Sequence, residues 1–246
     1  MNFFLGAIFI VAWTSIFASD IAVVTMAVGD NYKTAVSTGI LNKRKYCEKH
    51  GYDFIYGEEQ LDKNRPIAWS KILLLRKTLD NHKYKWVFWT DADSLFMNMS
   101  IPLEDLIDDN YNIIITQEDC GNINSGQFFL KNCAWSKEFL KKVYGHTECI
   151  NHGWWENLAI IKEYENDKDV AKLTKLLPQR LMNSYPKVEF QPGDFIVHFA
   201  GVKDRDLLMK SMEEYSKNTV DDYSLGKDYR EILKHYYQGV EINRKY

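Results

Sequence analysis

The chain has 246 residues, of which 46% are hydrophobic and 26% are charged. This length and composition fit one fairly large globular domain, or a domain with a small appendage, with a sizeable core. Its 31 basic and 34 acidic residues are well mixed and leave a formal charge of −3, which gives no electrostatic reason to expect a polyanion as partner. We therefore expect no nucleic acid among its substrates.

The N-terminal segment has the character of a secretory signal. Residues 2–18 are almost wholly apolar and end in the small residues Ala18 and Ser19, directly before Asp20. Such a segment is typical of a signal that is either cleaved or kept as a short membrane anchor, and a buried core helix is the alternative. No basic residues precede it, and it is shorter than the roughly 20 residues of a membrane span, which favours cleavage. We expect residues 1–19 to be this signal, followed by a lumenal domain without a stem.

From Asp20 onward, strand-like and helix-like segments alternate, which predicts an α/β domain with a largely parallel sheet. The expected strands cover residues 21–27, 52–56, 85–89, 112–116, 126–130 and 195–199. The expected helices cover residues 32–50, 134–144 and 155–164, a segment opened by Pro66, and a charged C-terminal cap from about Asp204. Gly51 is placed to end the first helix. No repeat or low-complexity linker interrupts the pattern, so residues 20–246 are expected to form one domain.

Two aspartates directly follow the predicted strand at residues 85–89. Asp91 and Asp93 are separated only by Ala92. Ligands of open α/β sheets bind beyond the carboxyl ends of the strands, and alternate side chains of a regular strand share one face. Both carboxylates could therefore converge on Mg²⁺ or Mn²⁺, which prefer oxygen ligands and leave positions for substrate phosphates. The alternative is a helix cap or a turn, at which aspartate is common.

A second group of candidate residues follows the last predicted strand. The imidazole of His198 could complete a metal site, Gly201 would let the backbone approach a ligand closely, and Lys203 could offset phosphate charge. Each residue alone is also explained by a structural role, since a histidine at a strand end is more often structural and a lone lysine is usually solvated. The argument for a site rests on their combination with the aspartates.

Cysteines and a glycosylation sequon bear on the compartment. The four cysteines are Cys47, Cys120, Cys133 and Cys149. They are too few for a disulfide scaffold and match no zinc spacing, although an oxidising lumen leaves room for one or two bridges. The sequon at residues 98–100 lies so close to the aspartate pair that we do not expect it to be glycosylated.

Four ordered blocks resemble the signatures of glycosyltransferase family 34, which includes fungal Golgi galactosyl- and mannosyltransferases and plant xyloglucan xylosyltransferases. The blocks are Trp89-Thr90-Asp91-Ala92-Asp93-Ser94-Leu95-Phe96, Asn124-Ser125-Gly126, residues 177–185 and His198-Phe199-Ala200-Gly201. The resemblance extends from about Val23 to Lys210. It implies a GT-A fold with a mostly parallel central sheet flanked by helices, a UDP- or GDP-sugar donor, dependence on Mn²⁺ with Mg²⁺ as a substitute, and retention of anomeric configuration.

The resemblance also implies roles for individual residues. The metal ligands carried over by position are Asp91, Asp93 and His198, and the lysine near the donor diphosphate falls on Lys203. The donor-binding residues are Thr25 beside the nucleoside, Lys71 after the second strand, and Asn124, Ser125 and Gly126 beside the transferred sugar. The alternative for each of these donor-binding residues is a polar side chain that satisfies nearby backbone groups.

One block departs from the family pattern. The family has an acidic residue followed by glutamine at the start of a helix, and this chain has Glu156 and Asn157 there. These two residues are the candidates for a catalytic group that stabilises the cationic sugar, or for an acceptor-binding group. Trp154 and Trp155 beside them could stack on a sugar ring or fill core space.

These observations predict a glycosyltransferase of the secretory pathway, in the Golgi lumen, that moves galactose, mannose or xylose to a glycan acceptor. Association with itself or with other glycosyltransferases stays open. A catalytically weak pseudoenzyme or partner subunit is the main alternative, because of Glu156 and Asn157 and the missing stem. A metal-dependent phosphotransferase is disfavoured, since the chain has no glycine-rich phosphate loop.

Overall fold

A computed structural model describes residues 19–227 and 229–234. The predicted signal segment therefore lies outside the described residues, apart from Ser19. In the described part of the chain, no helix combines the length and the apolar character that crossing a bilayer requires.

The described residues alternate between strands and helices, as expected of an α/β domain. The strands are β1 Ile21–Met26, β2 Asp53–Gly57, β3 Trp86–Thr90, β4 Ser94–Phe96, β5 Ile113–Gln117, β6 Ile123–Lys131, β7 Thr174–Pro178 and β8 Ile196–His198. The helices are α1 Asp30–Ala35, α2 Ser37–His50, α3 Ser70–Leu79, α4 Ala134–Gly145, α5 Trp155–Asn166, α6 Lys168–Lys172 and α7 Arg205–Ser216. Single 3₁₀ turns cover Ile67–Trp69, Leu103–Leu106, Thr147–Cys149, Gln179–Leu181 and Tyr223–Leu225.

Six strands form the central sheet in the order β2-β1-β3-β6-β5-β7, and the short strands β4 and β8 form a separate antiparallel pair. Strand β6 runs antiparallel to both of its neighbours, whereas the other neighbouring pairs are parallel. The prediction of a mostly parallel sheet is confirmed. The exception has a local cause, because β5 and β6 are joined by a short turn through Gly121, and a hairpin connects antiparallel strands.

The strands β1 and β3 are buried along their whole length, which is why both appear in the sequence as continuous apolar runs. Val24 and Trp89 pack with α3, α4 and α5 on one face of the sheet. Val23 and Phe88 pack with α2 on the opposite face. The sheet is therefore covered by helices on both sides, and its strand ends are left to form a site.

Several element predictions need correction. The predicted helix at residues 32–50 is two helices, because Val36 leaves the helical conformation between α1 and α2. Gly51 ends α2 in the left-handed conformation, as predicted. Strands β4 and β7 and helix α6 were not predicted. Strand β4 has only three residues. Strand β7 has only two apolar residues besides its terminal proline, and it includes a buried Lys175. Beyond Asp204, α7 confirms the predicted helical cap.

The structure also shows the state of the cysteines and of the glycosylation sequon. All four cysteines are free thiols, so the disulfide bridges that the sequence leaves open are not formed. The Asn98 side chain is buried, and its Nδ2 donates to the carbonyl oxygens of Gly193 at 3.3 Å and Asp222 at 3.0 Å. The nitrogen that would carry a glycan is thus engaged inside the folded domain.

Candidate active site

A cavity of about 630 Å³ lies at the carboxyl ends of β1 and β3. This is the edge at which open α/β sheets bind ligands. Ten of the predicted site residues line it: Lys71, Asp91, Asp93, Asn124, Ser125, Gly126, Glu156, Asn157, His198 and Gly201. Residues from five separate segments of the sequence therefore meet at one place.

Asp91, Asp93 and His198 form a compact polar group in this cavity. One ligand atom from each of the three lies within 4.8 Å of the others. His198 Nε2 is 3.4 Å from Asp93 Oδ1 and 3.8 Å from Asp91 Oδ2. The two carboxylates are hard oxygen ligands that suit Mn²⁺ or Mg²⁺, and the imidazole nitrogen favours Mn²⁺ of the two.

The two aspartates converge for a reason other than strand alternation. Both lie beyond the end of β3, and Asp93 is in the turn that leads into β4. Pairing of β4 with β8 places Ser94 opposite His198, and the Phe199 amide donates to the Asp93 carbonyl at 2.9 Å. The small β4–β8 sheet thus brings the aspartates to the histidine.

The surroundings of His198 prepare it to bind a cation. Its Nδ1 donates to Asn183 Oδ1 at 2.7 Å, which fixes the ring so that Nε2 faces the aspartates. Burial works against the charge on Asp93, but hydrogen bonding to His198 and the charge of His198 outweigh burial and lower the pKa of Asp93. Asp93 is therefore a carboxylate at neutral pH. The residues present fit a divalent cation.

Gly126 makes room for the histidine ring. A Cβ atom at this position would lie 2.4 Å from His198 Cε1 and 2.8 Å from Nδ1. Only glycine leaves space for the ring where it is. Besides the sugar contact predicted for residues 124–126, Gly126 therefore leaves the space that the ring of His198 occupies.

Lys71 connects the candidate metal site with the start of α5. Its Nζ lies 2.8 Å from Glu156 Oε1, 3.1 Å from Asp91 Oδ1, and 3.1 Å from the Ser125 carbonyl oxygen. Burial opposes the charge on Lys71, but the nearby carboxylates of Asp91 and Glu156 raise its pKa above the ordinary value. Lys71 is thus a buried cation shared by two acidic residues.

Glu156 and Asn157 have different environments. The Asn157 Oδ1 accepts from the Ser125 amide at 2.8 Å, and its Nδ2 donates to the Ile123 carbonyl at 3.2 Å, so this side chain supports the main chain of β6. Glu156 Oε2 is buried and finds no hydrogen-bond partner in the described part of the chain. Burial raises the pKa of Glu156, even with Lys71 beside it. Of the two residues, Glu156 is the one with an oxygen left for a ligand.

The sequence of the chain matches a family of known proteins over most of its length. The profile of the galactosyl transferase GMA12/MNN10 family matches residues 17–112 and 107–206. The chain belongs to this family. The resemblance to family 34 that the four sequence blocks carry is confirmed.

Curated relatives of this family member include plant enzymes. It is 32% identical over 124 residues to the probable xyloglucan 6-xylosyltransferase 3 of Arabidopsis thaliana, which covers 46% of this chain and 26% of that protein. It is 31% identical over 108 residues to galactomannan galactosyltransferase 1 of Cyamopsis tetragonoloba, over 40% of this chain and 25% of that protein. The match thus spans about a quarter of the length of these relatives.

Solved structures support the fold of this family 34 chain. A glycosyltransferase involved in glycosylation of the major capsid of PBCV-1 superposes with a TM-score of 0.62 at 17% identity, over 79% of this chain and 98% of that one. Galactosyltransferase LgtC, in complex with donor and acceptor sugar analogs, gives a TM-score of 0.55 at 12% identity, over 86% and 99%. The predicted GT-A fold is confirmed.

Two predicted residues of the family 34 site lie outside the cavity lining. Thr25 is fully buried in β1, and the neighbouring Met26 lines the cavity instead. Lys203 is exposed, and the basic side chain that lines this side of the cavity is Arg205. The guanidinium carbon of Arg205 lies 4.4 Å from the ring centre of Tyr32, another lining residue.

Trp154 and Trp155 line the mouth of the cavity and are 50% and 41% exposed. The alternative that they fill the core is therefore wrong. Trp155 has a φ of 42°, in the left-handed region that side chains other than glycine rarely adopt. Backbone strain of this kind concentrates at functional sites.

Polar residues that the sequence did not predict, among them Glu118 and Lys43, form hydrogen bonds with residues of the site. Asn124 Nδ2 donates to Glu118 Oε1 at 2.7 Å and lies 2.9 Å from the Tyr185 hydroxyl, which donates to the same carboxylate. On the other side, Lys43 Nζ donates to the Ser94 carbonyl at 2.5 Å. Burial lowers the pKa of Lys43 to about 7, against the effect of the nearby aspartates. In the sequence, a role for Lys43 could have been inferred only from its helical spacing with the buried residues of α2.

Proposed function

We propose that this chain is a retaining, Mn²⁺-dependent glycosyltransferase that moves galactose, mannose or xylose from a nucleotide sugar to a hydroxyl of a glycan acceptor. Membership of the family supports the reaction class. The single observation that carries the proposal is the convergence of Asp91, Asp93 and His198 in a cavity large enough for a sugar nucleotide. Retention, the metal and the three donor sugars are implied by the family resemblance.

The metal would be held by the carboxylates of Asp91 and Asp93 and by Nε2 of His198. When bound, a divalent cation stabilises the negative charge that develops on a departing diphosphate. Asn183 fixes the ring orientation of His198 through Nδ1. Asp93 is held as a carboxylate, and so needs no proton loss to accept the cation.

We further propose that the donor lies along the cavity with its nucleoside near β1 and its diphosphate near α7. Met26, Val28 and Tyr32 supply apolar and aromatic surface at the first position, taking the place predicted for Thr25. Arg205 supplies a positive charge at the second, where Lys203 was expected. Gly201, with φ of 76° and open space around its α-carbon, allows the main chain there to approach a phosphate closely.

For the transfer step, we propose that the acceptor hydroxyl attacks from the face that the diphosphate leaves, and that a diphosphate oxygen takes the hydroxyl proton. The chain would contribute orientation and electrostatics. Glu156 is the group we propose to stabilise positive charge on the sugar, through its unpaired Oε2. Asn157 would keep Ser125 and the rest of the sugar-facing segment in place.

The test measures release of the nucleoside diphosphate, UDP or GDP, from UDP-galactose, UDP-xylose and GDP-mannose, with Mn²⁺, with Mg²⁺ and with EDTA. No acceptor is needed, because such enzymes hydrolyse donors slowly in water. We expect one donor to be hydrolysed in a metal-dependent manner, and Asp93→Asn to lower the rate by about a hundredfold or more, in line with loss of a metal ligand. Asp169→Asn, an exposed aspartate in α6, is the matched control. Full activity of Asp93→Asn would overturn the metal assignment.

A catalytically weak partner subunit is the second candidate. The observation that favours it is the commitment of Asn157 to the backbone and of one Glu156 oxygen to Lys71. Calorimetric titration with UDP and Mn²⁺, followed by the donor-hydrolysis assay, separates the two candidates. A subunit with an intact but idle site would bind both ligands and release no UDP or GDP from any donor.

We also propose that the protein works in the lumen of the secretory pathway, in the Golgi, with residues 1–19 as its signal or anchor. The apolar N-terminal sequence supports this location. A C-terminally tagged chain in a microsome preparation should resist added protease until detergent opens the membrane. Degradation without detergent would contradict a lumenal location.

A further inference from the structure

Helix α2 carries two polar side chains on its buried face. The face consists of Gly39, Asn42, Lys43, Tyr46 and Cys47, spaced three and four residues apart. Tyr46 and Cys47 pack in the core. Lysine is almost never fully buried without a specific set of partners, yet Lys43 is 0% exposed. The polar half of this face therefore needs a reason of its own.

Both polar side chains bind the main chain of the segment that carries the aspartates. Lys43 Nζ donates to the Ser94 carbonyl at 2.5 Å and to the Ala92 carbonyl at 3.3 Å, the residues on either side of Asp93. Asn42 Oδ1 accepts from the Phe96 amide at 2.7 Å, and its Nδ2 donates to the Phe96 carbonyl at 3.0 Å. The helix thus fixes the loop and the start of β4 through side chains.

The helix backbone also touches this loop directly. A Cβ atom on Gly39 would lie 2.5 Å from the Ala92 carbonyl oxygen and 3.1 Å from that of Ser94. Glycine at this position is unfavourable for the helix itself, but it allows the backbone of α2 to approach the loop. Three contacts from one helix face, at residues 39, 42 and 43, therefore converge on residues 92–96.

We propose that Lys43 is a positioning residue for the candidate metal site. It holds the main chain on both sides of Asp93, so that the carboxylates of Asp91 and Asp93 face His198 before a cation arrives. This inference rests on the proposed function, because it concerns the same site. An amine donates hydrogen bonds whether or not it carries a charge, so the positioning does not depend on the protonation of Lys43.

The charge and the hydrogen bonds of Lys43 have opposite effects on a cation. A positive charge behind the loop repels a cation and would weaken its binding. The hydrogen bonds orient two of the three ligands and would strengthen it. Removing the lysine side chain therefore shows which effect is larger, since the two predict changes of opposite sign.

The test measures the affinity for Mn²⁺ alone, by electron paramagnetic resonance of the free ion, in the full chain and three variants. Lys43→Met removes the donor with little change in volume, Lys43→Gln keeps an N–H donor without a charge, and Lys45→Met removes an exposed lysine of the same helix. We expect Lys43→Met to weaken Mn²⁺ binding by about tenfold or more, Lys43→Gln to lie between it and the wild type, and Lys45→Met to match the wild type.

The fold of each variant is checked by thermal unfolding followed by circular dichroism. Replacing a buried charge by an apolar side chain of similar size is often tolerated, so we expect Lys43→Met to unfold cooperatively. Failure to fold would make Lys43 a structural residue and overturn the proposal. Mn²⁺ binding by Lys43→Met as tight as the wild type, or tighter, would overturn it as well. A wild-type chain that binds no Mn²⁺ would instead refute the proposed function.

Discussion

Substitution of Gly126 by alanine should damage the metal site through steric displacement of one ligand. The added Cβ would lie 2.4 Å from His198 Cε1, whereas ordinary contact begins at 3.4 Å, so the ring would have to move by about 1 Å. Functional metal ligands tolerate departures of only about 0.2 Å. We therefore expect Mn²⁺ affinity to fall by about tenfold or more.

The same substitution should also lower stability, because His198 is buried and cannot move freely. Overpacking of this kind costs about 1–3 kcal/mol. Gly145→Ala is the matched control, since nothing lies within 4 Å of its added Cβ at the end of α4. Its expected effect is neutral or stabilising by about 0.5–1 kcal/mol.

Isothermal titration with Mn²⁺ and urea unfolding measure the two effects separately. If Gly126→Ala binds Mn²⁺ as tightly as Gly145→Ala does, then His198 is not a metal ligand or its ring moves without consequence. In both cases, the prediction that Gly126 is needed to place a metal ligand would be refuted. A loss of stability without a loss of Mn²⁺ affinity would show that the ring has a packing role alone.

Three further predictions concern charge and strain. Lys71→Met leaves two carboxylates without their buried partner and should cost about 3–5 kcal/mol in urea unfolding; adding Glu156→Gln should recover part of this, and no recovery would contradict the pairing. Burial opposes the charge on His146, but hydrogen bonds to two flanking glutamates raise its pKa. The stabilising effect of His146 should therefore be complete below the unfolded pKa of about 6.5 and be lost as the pH rises through the higher folded value. In urea unfolding, His146→Gln should thus lower the free energy of unfolding more at low pH than at high pH. An equal loss at both would contradict this. Trp155→Gly should relieve a strained φ and leave stability unchanged or higher, while acceptor-dependent transfer falls more than donor hydrolysis; equal losses would argue against contact with the acceptor.

The sequence predicts the strands that end at the site because they are buried on both faces. Strands β1 and β3 are continuous apolar runs, and a polar residue directly after such a run marks the sheet edge. Asp91 and Asp93 are predicted as site residues in this way, and His198 is predicted from the end of the last strand. Their actual geometry was not predictable, since it depends on the pairing of β4 with β8, two strands of three residues that lie far apart in the sequence.

Side-chain direction and loop geometry explain why Thr25 and Lys203 lie outside the cavity lining. Successive side chains of a strand point to opposite faces, so Met26 lines the cavity while the side chain of the neighbouring Thr25 is buried. In the loop after β8, Gly201 has a φ of 76°, and the turn that it makes brings Arg205 to the cavity and leaves Lys203 in solvent. Neither outcome has a signature in local sequence periodicity.

The two aspartates of the candidate metal site are not equivalent. Asp91 Oδ1 accepts from the Trp89 indole at 2.7 Å and lies 3.1 Å from Lys71 Nζ, so this oxygen is held by the protein. Its Oδ2 is the oxygen that faces His198, at 3.8 Å. One Asp91 oxygen is thus held by the protein and the other is left for a cation, whereas Oδ1 of Asp93 lies 3.4 Å from Nε2 of His198. Because Lys71 also binds Glu156, a change in the charge at Asp91 is felt directly at the start of α5. The candidate metal site and the group proposed to stabilise the sugar are therefore one electrostatic unit, joined through a single buried lysine.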